Sequence, residues 1–241
     1  MPPDLWRGTL EAPLRPRRLG AAFAFVYLGA TAAWLILVTP AGLPWLALPA
    51  IVVAGVELFV PGLANHISLA RAYLATPALT LGATRALLPL ALVVLVAAAT
   101  DVADGFVARR WEAATRLGGA IDPVVDGLFF GSAAVGLAWS ALYPLWLAGV
   151  VILRYLLPAL AGGLLLLARR QPALKHTPAG QASTAGIALL LAALAALAAT
   201  GGGATWLRPV AEVMIPVSAA AALGNLAWAN RSALLGRARR G

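Results

Sequence analysis

The 241-residue chain is 61% hydrophobic and 11% charged, with a mean hydropathy of +0.87 and a net charge of +9. That composition excludes an ordinary soluble domain, and its continuous Leu- and Ala-rich runs, about twenty residues long, exclude a membrane barrel, whose strands alternate over roughly ten residues. The lack of cysteine excludes disulfides, thiolate metal sites and a cysteine nucleophile, and the basic residues form no dense run of the kind that binds nucleic acid.

Arg7, Arg15, Arg17 and Arg18 precede an apolar run at 19–38, which is long for the apolar core of a signal peptide and is read as a first span. After a turn with Pro40 and Gly42, a second span at 44–60 carries Glu57, a carboxylate expected to snorkel or to be paired locally rather than to serve a site. The less apolar stretch 61–73, bracketed by Pro61 and Pro77, predicts a helix lying in the membrane interface, and a third span follows to about Leu81. A short loop with Arg85 leads to a fourth span at 87–100, which runs straight into Asp101. Residues 111–117 form a polar connection, and a fifth span at 119–139 carries Asp122 and Asp126 in its first two turns. A sixth span at 145–167 contains Arg154; a loop with Arg169, Arg170, Lys175 and His176 follows, and spans seven and eight occupy 181–200 and 206–228. The predicted architecture is an all-α polytopic membrane bundle of eight spans.

Eight spans bring both termini to one side. If that side is the cytoplasm, 15 of the 18 Lys and Arg residues lie in inner segments, with Arg85 and Arg208 outside and Arg154 within a span. The positive-inside rule therefore predicts a cytoplasmic position for the loop between spans four and five. Most of these charges are topology signals and anionic-lipid contacts. Arg208 and Glu212, four residues apart, are expected as a local pair.

Four of the nine acidic residues lie between 101 and 126, in the sequence DVADGFVARRWEAATRLGGAIDPVVD. On a helix, residues three, four and eight apart share a face, which aligns Asp101, Asp104, Gly105, Ala108 and Arg109, and likewise Gly118, Asp122 and Asp126. Two antiparallel helices joined by a short connection would bring these carboxylates to one depth. An oxygen-rich cage without His or Cys suits hard divalent cations such as Mg²⁺ or Mn²⁺, and two ions about 4 Å apart would bridge phosphate oxygens during phosphoryl transfer. The competing structural reading makes each Asp a helix cap or a solvated end, with Asp122 ahead of Pro123 a natural cap. Four uncompensated carboxylates at one membrane boundary would be costly, which argues for a site.

The pattern Asp101-x-x-Asp104-Gly105-x-x-Ala108-Arg109, eight residues, Gly118, three residues, Asp122, three residues, Asp126 resembles the signature of the CDP-alcohol phosphatidyltransferases at every fixed position. Upstream, Asn65, Ser68 and Arg71 resemble that family's N-x-x-[ST]-x-x-R interface helix. The likeness covers about 63–230, a six-span core, leaving 1–62 as an extra N-terminal two-span hairpin and 231–241 as a basic tail. The resemblance implies a homodimeric enzyme of phospholipid biosynthesis, expected in a bacterial inner membrane. It would transfer a phosphatidyl group from CDP-diacylglycerol to a polar alcohol and release CMP. By the same resemblance Asp101, Asp104, Asp122 and Asp126 hold two Mg²⁺ or Mn²⁺ ions and Asp126 is the general base. Gly105, Ala108, Arg109, Gly118, Asn65 and Ser68 fall at positions that bind the CDP-lipid.

Arg71, Arg154 and Lys175 are candidates for the phosphate of the acceptor, since a buried arginine needs an anionic partner; Arg154 is equally a candidate to pair with the aspartates themselves. The run 103–118 is most similar to phosphatidylglycerophosphate synthases, which use glycerol 3-phosphate. Gly127 stands where those enzymes carry Lys, Arg154-Tyr155 where they carry Arg-Glu, and Lys175, Thr177 and Gln181 are a loose remnant of their following loop. An inositol phosphate or another polar alcohol stays open as the acceptor. From other classes, a divalent-cation transporter would need acidic groups along a path through the membrane, which the outer halves of spans four and five lack, and an inactive scaffold would not need the full signature.

Overall fold

The computed structural model describes residues 18–38, 47–111, 116–167, 177–202 and 204–231; within its helices, the side chains at 47, 102, 104, 105, 108–111, 116–120, 166, 167 and 178 are outside that description. Among the described residues there are nine helices and no strand: α1 (Arg18–Leu37), α2 (Ala47–Glu57), α3 (Leu63–Tyr73), α4 (Ala75–Ala83), α5 (Leu87–Trp111), α6 (Arg116–Trp139), α7 (Leu145–Leu167), α8 (Pro178–Ala199) and α9 (Leu207–Ala229). The chain is thus a polytopic helical membrane protein.

Five of these helices, α1 and α6 to α9, are long and apolar enough to cross a membrane. Three expected spans are less regular. The apolar part of α5 is the 15 residues Leu87–Asp101, after which the same helix continues to Trp111. The described part of α2 has 11 residues and α4 has 9, and neither of these lengths reaches across a hydrocarbon core of about 30 Å at about 1.5 Å per residue. α3 and α4 meet at Leu74, whose dihedrals are still α-helical. α3 thus ends at Tyr73, as expected, and Pro77, which brackets the stretch, sits in the first turn of α4, where a missing N–H costs nothing.

α6 is the centre of the bundle. It packs along α7 on one side and α4 on another, while α8 joins α5 to α9 and α9 returns to α7. The main core draws Phe129, Phe130, Ala133 and Ala134 of α6 together with Leu90 and Val94 of α5, Val151 of α7 and Ile187 and Leu191 of α8. Lipid is as apolar as these side chains, so close fit rather than escape from water selects this arrangement. Gly82 and Gly136 show it most directly: a Cβ on Gly82 would lie 2.5 Å from the backbone carbon of Gly136, so α4 and α6 cross in backbone contact.

α1 and α2 pair with each other and lie against α3 and α4. A Cβ at Gly20 would stand 2.3 Å from the carbonyl oxygen of Glu57, which brings α1 directly onto the end of α2. Deeper along α1, Trp34 Nε1 donates to Thr80 Oγ1 of α4 at 2.9 Å. The stretch expected to lie in the membrane interface is covered by protein: eight of the eleven residues of α3 are buried, between this hairpin and helices α5 and α6.

Candidate active site

α5 and α6 follow one another in sequence, and α3 packs against both. Arg71, in the last turn of α3, is 1% exposed, and its Nη1 donates to Asp101 Oδ1 and lies 3.3 Å from Asp126 Oδ1. One guanidinium therefore gathers a carboxylate from the end of the apolar part of α5 and another from the second turn of α6's expected span. The two differ in access: the Asp101 side chain is 48% exposed and that of Asp126 12%. Asp126 is thus held by the fold, while Asp101 opens to the outside.

Asp122 is half-buried and lies well inside α6, whose first residue is Arg116. It is not a helix cap, and the cap reading is corrected: the helix starts six residues earlier, and Pro123 is accommodated within it. Asp104, Gly105, Ala108 and Arg109 lie on α5 and Gly118 on α6, with side chains outside the description. Lys175 lies outside the described residues, as do the basic segments 1–17 and 232–241.

The other expected residues have local partners. Asn65 Nδ2 donates to the carbonyl of Pro61 at 2.6 Å, and Ser68 Oγ to that of Ala64 at 3.2 Å; both are buried on α3. Arg154 is buried on α7, donates from Nε to Ser183 Oγ at 3.4 Å and from Nη2 to the Gly180 carbonyl at 3.2 Å, and lies 5.0 Å from the ring centre of Tyr155. Among the described residues, which omit the side chain of Asp104, no ion pair joins it to a carboxylate. Thr177 caps α8, its Oγ1 accepting from the Gly180 amide at 3.1 Å. Arg208 and Glu212 form the expected pair at 2.8 Å.

Tyr155, which the sequence offered only as a departure, proves to line this region. It is 2% exposed, stacks on Phe130, and its Cβ would sit 2.9 Å from a Cβ at Gly127, the neighbour of Asp126. The aromatic side chain fills the space that Gly127 leaves open. Its hydroxyl donates to Thr184 Oγ1 at 3.3 Å, tying α7 to α8 beside the aspartates.

Among the described residues, which omit the side chain of Asp104, no group of three or more His, Asp or Glu side chains comes together as a metal cluster. The donor chemistry nevertheless fits a hard cation. Carboxylates from α5 and α6 converge on one positively charged group, so the position beside them favours positive charge and offers oxygen ligands.

In this bundle of apolar helices, a carboxylate from α5 and one from α6 meet on a single buried arginine, and the one from α5 is accessible. The family model for CDP-alcohol phosphatidyltransferase matches residues 62–224, and the chain belongs to that family. It is 43% identical over 56 residues to a probable cardiolipin synthase (CMP-forming) of Drosophila melanogaster, covering 23% of this chain and 17% of the relative. It is 41% identical over 63 residues to the cardiolipin synthase (CMP-forming) of Streptomyces coelicolor, 26% of this chain and 29% of that one. A CDP-diacylglycerol–glycerol-3-phosphate 3-phosphatidyltransferase of Escherichia coli K12 is 51% identical over 45 residues, 19% of this chain and 25% of the relative. Each match thus spans less than a third of the relative's length. No solved structure matches the chain.

Proposed function

We propose that the chain transfers a phosphatidyl group from CDP-diacylglycerol to an alcohol and releases CMP, with glycerol 3-phosphate as the first-choice acceptor. The observation that carries this reading is the meeting of Asp101 and Asp126, two positions of the signature 25 residues apart in sequence, on the one guanidinium of Arg71. That spacing and that pairing together support a carboxylate site formed by α5 and α6.

In this reading Asp101, Asp104, Asp122 and Asp126 hold two Mg²⁺ or Mn²⁺ ions, which when bound offset charge on the pyrophosphate. Asp126 takes the proton from the acceptor hydroxyl. That oxygen then bonds to the phosphorus carrying the diacylglycerol, the bond to the oxygen of the CMP phosphate breaks, and CMP leaves with the electron pair. The glycines and Ala108 leave room for the nucleotide beside the helices, and Arg109 offers its charge to the phosphates. Asn65 and Ser68 support the donor site through the local geometry of α3. Arg71, Arg154 and Lys175 are assigned to the acceptor phosphate, Arg71 from its place at Asp101 and Asp126. A homodimer with the site facing the cytoplasm completes the proposal.

A second acceptor is favoured by the relatives named cardiolipin synthase: the headgroup hydroxyl of a second phospholipid. Tyr155 and Gly127 in place of charged side chains beside Asp126 suit a less charged acceptor. The experiment is CMP release by purified protein in detergent with CDP-diacylglycerol, Mg²⁺ or Mn²⁺, and glycerol 3-phosphate, phosphatidylglycerol, inositol phosphate or no acceptor in turn. Turnover with glycerol 3-phosphate supports the first choice; turnover with phosphatidylglycerol alone transfers it to the second. No CMP with any acceptor rejects the reaction.

A further inference from the structure

Glu57, at the end of α2, has no contact with water at all, and the site just described makes no use of it. A wholly buried carboxylate is costly unless its oxygens are bonded. Both are bonded to one helix. The Nδ1 of His66, itself fully buried, lies 3.2 Å from Oε1, the distance of a hydrogen bond in which the ring N–H donates, and the Tyr73 hydroxyl donates to Oε2 at 2.8 Å. His66 is near the start of α3 and Tyr73 is its last residue, so one side chain grips the helix at both ends.

α1 closes over the same cluster. Phe23 stacks on the His66 ring, with centroids 4.9 Å apart and planes 12° from parallel, and Tyr27 meets Tyr73 at 4.9 Å. The missing side chain at Gly20 admits α1 against the Glu57 carbonyl.

The geometry of α3 gives this grip a consequence. At 3.6 residues per turn, positions seven apart fall within about 20° of one another, so His66 and Tyr73 share one face, whereas Arg71 lies roughly 140° around from His66. That second face meets α5 and α6, where Arg71 holds Asp101 and Asp126. The helix is thus fixed on one side by Glu57 and carries the arginine of the candidate site on the other. Apolar contact would hold the hairpin in place without specifying rotation, since it is non-directional; two hydrogen bonds to one carboxylate do specify it. Residues 18–57 also lie outside the part of the chain that the family model matches, 62–224.

We propose that Glu57 is a positioning residue for the transfer reaction: through His66 and Tyr73 it sets the rotation of α3 and thereby the place of Arg71 at the aspartates. The inference rests on the proposed function for its kinetic arm and on geometry alone for its structural arm. The two hydrogen bonds, not the negative charge, carry the effect. In Glu57→Gln the amide oxygen accepts from Tyr73 and the amide N–H donates to the other tautomer of His66.

The test compares Glu57→Ala, Glu57→Gln and the milder Tyr73→Phe in purified protein. Because the chain has no cysteine, a spin-label pair at Leu63→Cys on α3 and Leu92→Cys on α5 reports the distance between those helices in each background. Glu57→Ala is expected to lower kcat for CMP release by roughly tenfold or more, the scale of a disrupted buried network, and to shift or broaden the label distance. Glu57→Gln is expected to restore both to within about threefold of the parent. Tyr73→Phe, which keeps the ring and loses one bond, should fall between; if Glu57→Ala does not fold, Tyr73→Phe against Glu57→Gln carries the comparison. Parent-like kcat in Glu57→Ala, loss in Glu57→Gln equal to that in Glu57→Ala, or lost kcat with an unchanged distance would each overturn the proposal. If the parent protein itself releases no CMP, the proposed function fails, and the distance arm still decides whether Glu57 holds α3.

Discussion

Asp101 and Asp126 share a guanidinium but not an environment, and that difference separates their roles. A general base must be held within reach of the hydroxyl it deprotonates, which suits the largely buried Asp126; a carboxylate that is half exposed, as Asp101 is, can take up an ion from the aqueous side. We therefore expect Asp126→Asn to lower CMP release by about 10²- to 10⁴-fold, the contribution typical of a positioned base, while binding of CDP-diacylglycerol, measured by equilibrium dialysis with labelled lipid, falls far less. Turnover near that of the parent would remove Asp126 from the role. Arg71→Lys tests the other half of the contact. Both contacts are made by Nη1, a point that the shorter lysine side chain does not reach, so turnover should drop by roughly tenfold or more despite the retained charge, as read by the same CMP assay. Asp101, Asp126 and Arg71, which the structure brings together, were visible in the sequence because charge in an apolar chain is conspicuous. Tyr155 was not: its importance comes from filling the space beside Gly127, and nothing in the spacing of either residue says that they touch.

At the scale of helices, the long apolar runs translate directly into α1 and α6 to α9, because a backbone in lipid has to bond within itself and only a helix does so over one segment. The short pieces did not translate as well. The helix expected over 61–73 does end at Tyr73, but Pro77, expected to bracket it, lies inside the first turn of α4, where a proline is no obstacle. Asp122 was ambiguous for a related reason: a residue before proline often starts a helix, but α6 had already begun at Arg116. The crossing of α4 over α6 was illegible, because a glycine looks the same in a sequence whether it faces lipid or another backbone. It can now be tested. Gly82→Ala places a methyl group 2.5 Å from the Gly136 backbone and is expected to destabilise the protein by about 1–3 kcal/mol, as overpacking does. Gly149→Ala on α7, where the added Cβ meets nothing within 4 Å, serves as the control and should leave the melting temperature in detergent unchanged or slightly raised. Equal melting temperatures for the two variants would mean that α4 and α6 do not touch at these glycines.

For the whole molecule, the bundle and the charge distribution can be tested against each other. Helices α8 and α9 are joined through Thr200 to Trp206, and Arg231 follows the far end of α9, so Thr200 and Arg231 stand at opposite ends of that pair. Arg231 is at the end of the bundle assigned to the cytoplasm by 15 of 18 basic residues, and Thr200 at the end that holds Arg208. A donor such as CDP-diacylglycerol is made from a cytosolic nucleotide, so the proposed reaction needs the carboxylates on the same side as Arg231. Both positions are exposed, and the cysteine-free chain makes any introduced thiol unique. In intact cells, a membrane-impermeant maleimide is expected to label Thr200→Cys and to spare Arg231→Cys until the cells are permeabilised. The reverse pattern would put Asp101 and Asp126 on the outer face, away from any nucleotide-linked lipid, and would defeat the proposed reaction however well the spacing of the aspartates fits it.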